Sequence, residues 1–393
     1  MRAKPAAIMA AAVTLCLARG ACAEPVTVAY LGLAARQDAP ATLLDPPLSD
    51  EGVQGARLAL ADDNTTGAFL NQSFALKESV QPDAEAVMAA ARDLLAAGQR
   101  LIVTDLPAAL LLKVADLPEA KSALLLDAAD EDDSLRASGC RANVLHLLPS
   151  HAMLADALMQ YLSVKGWRRL LLVAGPHDED RAYADALRRS AKKFQLRLAD
   201  DKPWTFDPGA QRTDTGHVAV GAEVARFTQG ESYDVLVVAD TEGEFGDDLA
   251  YRTTDPRPIA GTQGLVPSAW ARAFEQWGGT QLQLRFQKQA GRPMTDKDYG
   301  AWMAVRAVGE AATRGGADDP AAISAYLRSD KFQLAAFKGS RLTFRPWDGQ
   351  LRQPVLLADA RSLVSVSPQP GYLHEHSELD TLGIDKPETQ CKM

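Results

Sequence analysis

Short apolar runs alternate along this chain with longer amphipathic stretches in which apolar positions recur every three to four residues. The run at 26–33 predicts a strand. The stretch 50–64, with Val53, Ala56, Leu60 and the neighbouring Ala61 at helical spacing, predicts a helix. The same reading gives strands at 73–80, 101–105 and 122–127, with helices at 83–97 and 108–116. Leu101, Ile102 and Val103, like Leu124, Leu125 and Leu126, are continuously apolar, as strands are when helices cover both faces of a parallel sheet. A second series begins near Pro149: helix 153–165, strand 169–174, helix 181–194, strand 196–199, helix 218–227, strand 234–239 and a strand opening at 259–262. The pattern predicts an α/β fold with two doubly wound parallel-sheet lobes in tandem. Helices follow at 267–277, 296–314 and 320–329, then late strands at 341–344 and 354–366 with a turn at Asp348-Gly349. From Pro368 onward the chain is polar and punctuated by proline, and the pattern predicts no element there.

The first residues follow a different logic. Arg2 and Lys4 precede an apolar stretch from 6 to 17, and Ala21-Cys22-Ala23 offers the small residues that a signal peptidase reads, which predicts cleavage before Glu24. About 12 apolar residues fall short of the roughly 20 that span a bilayer. Export to the periplasm changes how the cysteines read. Cys16 and Cys22 leave with residues 1–23, and Cys140 and Cys391 remain as an even pair in an oxidising compartment. A disulfide between them is the simplest assignment, with two buried thiols as the alternative.

Across 393 residues, 42 Lys and Arg stand against 51 Asp and Glu, a net charge of −9. Removing 1–23 takes away Arg2, Lys4 and Arg19 and no acid, so the charge falls to −12. Such a balance argues against nucleic acid as a partner. No glycine-rich phosphate loop, nucleophile elbow, zinc pattern or calcium loop occurs in the sequence. His374-Glu375-His376 lies in the polar tail and reads as solvated chain; Asn64-Thr65-Thr66 fits both a glycosylation acceptor and a helix end.

What remains is geometry. Ligands of open parallel sheets sit beyond the carboxyl ends of the strands, so the informative residues follow each strand. In the first lobe these are 34–38, 104–109 and 127–133; in the second they are 177–183, 240–244 and 261–264. Acid outweighs base in both, which favours a cationic, metal-bearing or neutral polyol-like ligand over an anion.

The exported tandem α/β pattern, with Gln54-Gly55-Ala56-Arg57-Leu58-Ala59-Leu60-Ala61-Asp62-Asp63-Asn64 in its first helix, resembles the type I periplasmic substrate-binding proteins of ABC transporters, the leucine/isoleucine/valine-binding group in particular. Tyr183-Ala184-Asp185-Ala186-Leu187, Glu244-Phe245-Gly246, Gly261-Thr262-Gln263-Gly264 and Leu342-Thr343-Phe344 with Asp348-Gly349 are similar to that group in order and spacing. A finer resemblance, to the subgroup associated with PQQ-dependent alcohol dehydrogenase systems, is carried by 30–33, 45–52, 140–146 and 277–286. The resemblance implies two lobes joined by a hinge: 24–149 with about 268–342, and 150–267 with about 343–367, followed by a tail at 368–393. It also implies a monomer that binds a small molecule without catalysis or cofactor, hands it to permease subunits, and stays out of the membrane once the signal is removed. Together, loops and resemblance mark Ala108, Ala109, Ala129, Asp130, His177, Tyr183, Thr241, Glu242 and Gln263 as the ligand-binding set.

Two positions depart from the amino-acid binders. Pro107-Ala108-Ala109 stands where that group holds an α-carboxylate with a hydroxyl, and Gln263 stands where a glutamate pairs with the α-ammonium. Gln263, as donor and acceptor, suits a neutral hydroxyl or carbonyl instead. Three other readings follow from the same residues. One is a calcium or lanthanide site on Asp127, Asp130, Asp132, Asp240 and Glu242; one is a hydrolase using Asp178 with His177; one is a docking or sensory module whose cleft takes no small molecule.

Overall fold

The computed structural model describes residues 24–35, 48–205, 220–317 and 319–392. The expected signal segment lies outside them. No helix among the described residues is long and apolar enough to cross a membrane.

The first lobe opens as β1 (Val26–Leu33), α1 (Val53–Gly67), β2 (Phe74–Gln81), α2 (Ala84–Ala96), β3 (Leu101–Asp105), α3 (Ala108–Ala115), β4 (Leu124–Asp127) and β5 (Val144–His146). Its five strands are parallel in the order β2-β1-β3-β4-β5. The second lobe follows as α4 (His151–Val164), β6 (Arg169–Ala174), α5 (Asp178–Lys193), β7 (Arg197–Pro203), α6 (Val220–Phe227), β8 (Val235–Ala239), α7 (Gly246–Leu249) and β9 (Ile259–Gly261), with parallel order β7-β6-β8-β9. The chain then passes through β10 (Val266–Ser268), α8 (Gly279–Ala290), α9 (Asp296–Gly315), α10 (Pro320–Leu327), β11 (Leu334–Ala335), β12 (Arg341–Phe344), β13 (Leu351–Arg352), β14 (Val355–Ala358) and β15 (Leu363–Ser367).

The continuous apolar runs are explained by two-sided burial. Side chains alternate across a strand, so Val28 and Tyr30 enter one core of the first lobe while Ala29 and Leu31 enter the other. Leu170 and Leu172 likewise part from Leu171 and Val173 in the second lobe. Helix α9 covers the first sheet beside α1, and the two approach so closely that a Cβ on Gly55 would lie 1.8 Å from the Asp298 carbonyl. The α9 start is held by Thr295, whose hydroxyl accepts from the Asp298 amide while the Asp298 carboxylate accepts from the Thr295 amide. Phe344 and Leu351 still belong to the first core, and Val355 and Leu357 pack in the second.

Three expectations are corrected, and two elements escape the sequence. The helix expected at 267–277 is the strand β10, paired antiparallel with β14, followed by irregular chain and a short 3-10 turn, Gln276–Gly278. Trp270 and Phe274, four apart and both buried, mimic a helical stripe there. Helix α8 goes unrecognised in the sequence because Gly278-Gly279 reads as a breaker; Leu282 and Phe286 are its only buried large residues. The run 354–366 is two strands, β14 and β15, turned by Asp359, whose carboxylate accepts from the amides of Arg361 and Ser362. Strand β5, three residues long, is too short to register as a period.

The tail is the third correction, for it is ordered against both lobes. Gly383 donates to Asp156 on α4, Gln369 donates to Gln160, and the Thr389 hydroxyl donates to the Arg136 carbonyl of the first lobe. Cys391 is disulfide-bonded to Cys140. Asp380 is buried and accepts from Nε of both Arg345 and Arg352 at 2.8 Å, while both guanidinium groups flank the Trp347 ring at 5.5 and 5.2 Å. The expected solvated motif is partly engaged too, since His374 bonds Asp385 at 3.1 Å. Removing one partner of a buried ion pair strands the other charge at a cost of about 3–5 kcal/mol. Asp380→Ala should therefore lower unfolding free energy by about that amount in urea; a loss under about 1 kcal/mol would show that Asp380 does not anchor the tail.

Candidate functional site: an acidic cleft between the lobes

Both parallel sheets direct their carboxyl ends at one cleft. Two adjoining cavities of about 400 and 1010 Å³ fill it, sharing Glu131, His151, Thr241, Glu242 and Asp296 as walls. Nine carboxyl residues line the two together: Glu51, Asp105, Asp130, Glu131 and Asp296 from the first lobe, Glu179, Asp240, Glu242 and Glu244 from the second. Against them stand Lys297, His151 and His177. The acid excess read from the loops is therefore concentrated in one place.

The loops that carry these side chains are built from their own carboxylates. Asp180, fully buried on α5, accepts at 2.7 Å from both the amide and the hydroxyl of Thr241, and at 3.1 Å from the His177 amide, so it locks two cleft loops together. Asp240 accepts from the amides of Glu244, Phe245 and Gly246 and so starts α7. Asp127 bonds His146 Nδ1 at 2.8 Å and accepts from the amides of Ala129 and Asp130. Burial and the nearby Arg136 lower the His146 pKa to about 4, so the ring is neutral beside Asp127.

These bonds decide the fate of the expected site residues. Tyr183, Thr241, Glu242 and Gln263 line the smaller cavity, and Ala129, Asp130 and His177 line the larger one. Ala108 and Ala109 line neither. They start α3, and the wall at this point is made instead by Asp105, Leu106 and Pro107. The Ala129 amide is already spent on Asp127. Gln263 is largely spent as well: its carbonyl accepts from the Thr262 hydroxyl at 2.5 Å, and its amide donates to the Asp240 carbonyl at 3.2 Å. It braces two loops of the second lobe. His177 stands at the rim, exposed, with Nε2 3.1 Å from Glu244; Asp178 is an exposed surface partner of Arg181.

The cation site expected on Asp127, Asp130, Asp132, Asp240 and Glu242 does not assemble. Asp132 accepts from Ser134 and Asp130 from Asp132, each within its own turn. Among the described residues no three His, Cys, Asp or Glu side chains are grouped so as to hold a metal ion.

Three cleft features go beyond the sequence reading: His151, which it did not mark, and the state of Glu131 and Tyr183, which lie on segments it did. His151, the first residue of α4, is buried with its ring 5.5 Å from that of Tyr183, tilted by 50°. It was hidden because β5 goes unrecognised and the helix was expected to begin at Met153; Ser150, a strong cap residue, was the available signal. Glu131 stands opposite, with Oε2 3.6 Å from His151 Nε2. Its carboxylate accepts no hydrogen bond from the described residues. Although 27% exposed to the cleft, it is enclosed by both walls, and that burial, with Asp296 nearby, pushes its pKa up to about 8. Asp130 is raised to about 7 by burial and Asp127. The third feature is the Tyr183 hydroxyl, buried and without a hydrogen-bond partner.

No protein-family model matches this sequence, and no curated protein matches it. Solved structures do match in shape. A periplasmic binding protein from Burkholderia mallei superposes with a TM-score of 0.66 at 14% identity, over 93% of this chain and 98% of its own. A branched chain amino acid ABC transporter periplasmic ligand-binding protein from Burkholderia xenovorans gives 0.68 at 15%, over 87% and 95%. A solute binding protein of an ABC transporter from R. palustris, in complex with benzoate, gives 0.65 at 12%, over 94% and 100%. The chain has the two-lobed fold of these periplasmic binding proteins. At such identities the likeness concerns the fold alone.

Two outcomes test the site's electrostatics. An unfolded glutamate titrates near 4.3, so between about 5 and 8 the native state holds a proton on Glu131 that the unfolded chain has released. This contribution makes stability fall as pH rises through that window. Glu131→Gln should flatten the fall, measured as the difference in urea midpoint between pH 5.5 and 8; an unchanged slope would remove the buried proton. Tyr183→Phe deletes a buried hydroxyl that bonds nothing, so unfolding free energy should hold or rise by up to about 1 kcal/mol. A clear loss would reveal an unrecognised partner.

Proposed function

We propose that this chain is the periplasmic solute-binding component of an ABC transport system, closing two lobes around a small polar ligand without catalysing a reaction. The observation that carries the reading is the pairing of two parallel sheets, each with its carboxyl ends on one cleft, in a chain whose fold is that of periplasmic binding proteins. A ligand that touches Glu131 and Asp296 on one wall and Tyr183 and Thr241 on the other binds the closed state best, and so selects it. The permease subunits would read that closed state. Export rests on the basic, apolar and Ala21-Cys22-Ala23 segments. The link to PQQ-dependent alcohol oxidation rests on the resemblance carried by 30–33, 45–52, 140–146 and 277–286.

The benzoate complex of the R. palustris protein supports a ligand range wider than amino acids for this fold. Pro107 in place of a hydroxyl residue, and the engaged Gln263, support the same conclusion for this cleft. The purified chain should gain several degrees in Tm and shrink in radius of gyration with at least one member of a panel of alcohols, aldehydes, short acids, amines, amino acids and PQQ. Neither change across the whole panel would overturn the proposal.

A further inference from the structure

We infer that the cleft selects an organic cation, a small molecule with a positively charged nitrogen on an apolar body, seated in the smaller cavity against Glu131 and the His151 and Tyr183 rings. The inference rests on the solute-binding reading above and adds the chemistry of the solute. The smaller cavity has no lysine or arginine in its wall, and its carboxyl groups come from both lobes: Glu131 and Asp296 from one, Asp240 and Glu242 from the other. An anion entering it would meet like charge on both sides and no cation in the wall to replace its hydration.

A cluster of acids is not itself a binding site, and two independent features give this one a ligand's shape. The Tyr183 hydroxyl is held without a partner in a residue 97% buried, on a ring that lines the cavity. Such a group costs free energy for as long as it lacks a partner, and a ligand drawn against this wall would supply one. The paired rings of His151 and Tyr183, with Leu154, Val266 and Pro267 beside them, form an aromatic and apolar wall. Aromatic faces next to a carboxyl are the surface that an alkylammonium group prefers.

The groups around Glu131 explain why the cation must come from outside. Asp130 lies on its own loop and Arg136 on the 3-10 turn Asp133–Arg136 that follows it, Asp296 and Lys297 on α9, His151 on α4 and Tyr183 on α5. Arg136 is committed to Gln350 and to the carbonyls of Asp130 and Asp132. Lys297 stands toward Glu51, at 3.9 Å, in the larger cavity. Arg136 and Lys297 therefore offset only part of what burial and Asp296 do to Glu131, whose pKa rises to about 8. A bound cation would draw that proton off.

The test is titration calorimetry on the full mature chain at pH 7 in two buffers of different ionisation enthalpy. The probes are choline and butylamine, their uncharged shape partners 3,3-dimethylbutan-1-ol and butan-1-ol, and butyrate. At least one cation should bind about tenfold or more tightly than its uncharged partner, with release of up to one proton. Glu131→Gln should weaken that binding about tenfold and abolish the proton release. Tyr183→Phe, a milder change, should weaken it severalfold and keep the release. Equal or tighter binding of an alcohol or butyrate overturns the inference and leaves the solute-binding role standing. So does cation binding that releases no proton and ignores Glu131→Gln. Absence of binding by all five overturns the inference; if scattering also shows no lobe closure with the wider panel, the solute-binding role falls with it.

Discussion

The two lobes are held in relation to each other by a buried polar knot where the chain crosses between them. The Gln353 amide donates to the Leu147 carbonyl at 2.5 Å, and Lys338 donates to Gln353 Oε1 and to the Pro354 carbonyl at 2.8 and 2.9 Å. Gln350 donates to the Leu148 carbonyl and accepts from Arg136, and the Trp270 amide donates to Asp296. The crossings near 148 and 354 are thereby tied to one another, and the pairing of β10 with β14 ties the third, near 269, to the one near 354. Buried amides and carbonyls of this kind cannot be left unpaired without cost, so the crossings are fixed in position.

That knot also explains why the cleft can be acidic and still stand. Asp296 serves the knot through Trp270 and lines the cleft at the same time. Its pKa is raised to about 6 by burial, while Lys338 nearby is lowered to about 7 by the same cause. The strand-end acids divide into two kinds. Asp127, Asp180 and Asp240 are buried and saturated by amides and side chains of their own loops, so they build the walls. Glu131 and Glu242 face open space with little to bind. A wall held rigid by the first kind can present the second kind to a ligand.

The tail adds a further constraint. It leaves the second lobe, packs Leu382 into that lobe's core, and ends on the first lobe at Cys140. No described residue of the tail lines either cavity, so it braces the two lobes without entering the cleft. Its anchoring on the Arg345, Asp380 and Arg352 cluster was invisible in a polar, proline-punctuated sequence, since a charge that is buried by distant segments looks the same in sequence as one in water.

The alternation of apolar runs by itself determined the two doubly wound lobes, because side chains on both faces of a parallel strand must be apolar and such runs survive any detail of packing. Strand ends also located the cleft and its acidity, since in this architecture the carboxyl ends face the ligand. Tertiary structure decided what local pattern could not carry: the three-residue β5, the strand β10 through Pro267, and helix α8, whose partners lie far away in sequence. It decided the roles within the site for the same reason. Gln263 lines the cleft but spends its amide on Thr262 and Asp240, whereas Glu131 and His151 became part of the cleft wall once two lobes met. A residue's type is written in the chain, but whether its polar atoms are already satisfied depends on neighbours that only the fold brings near.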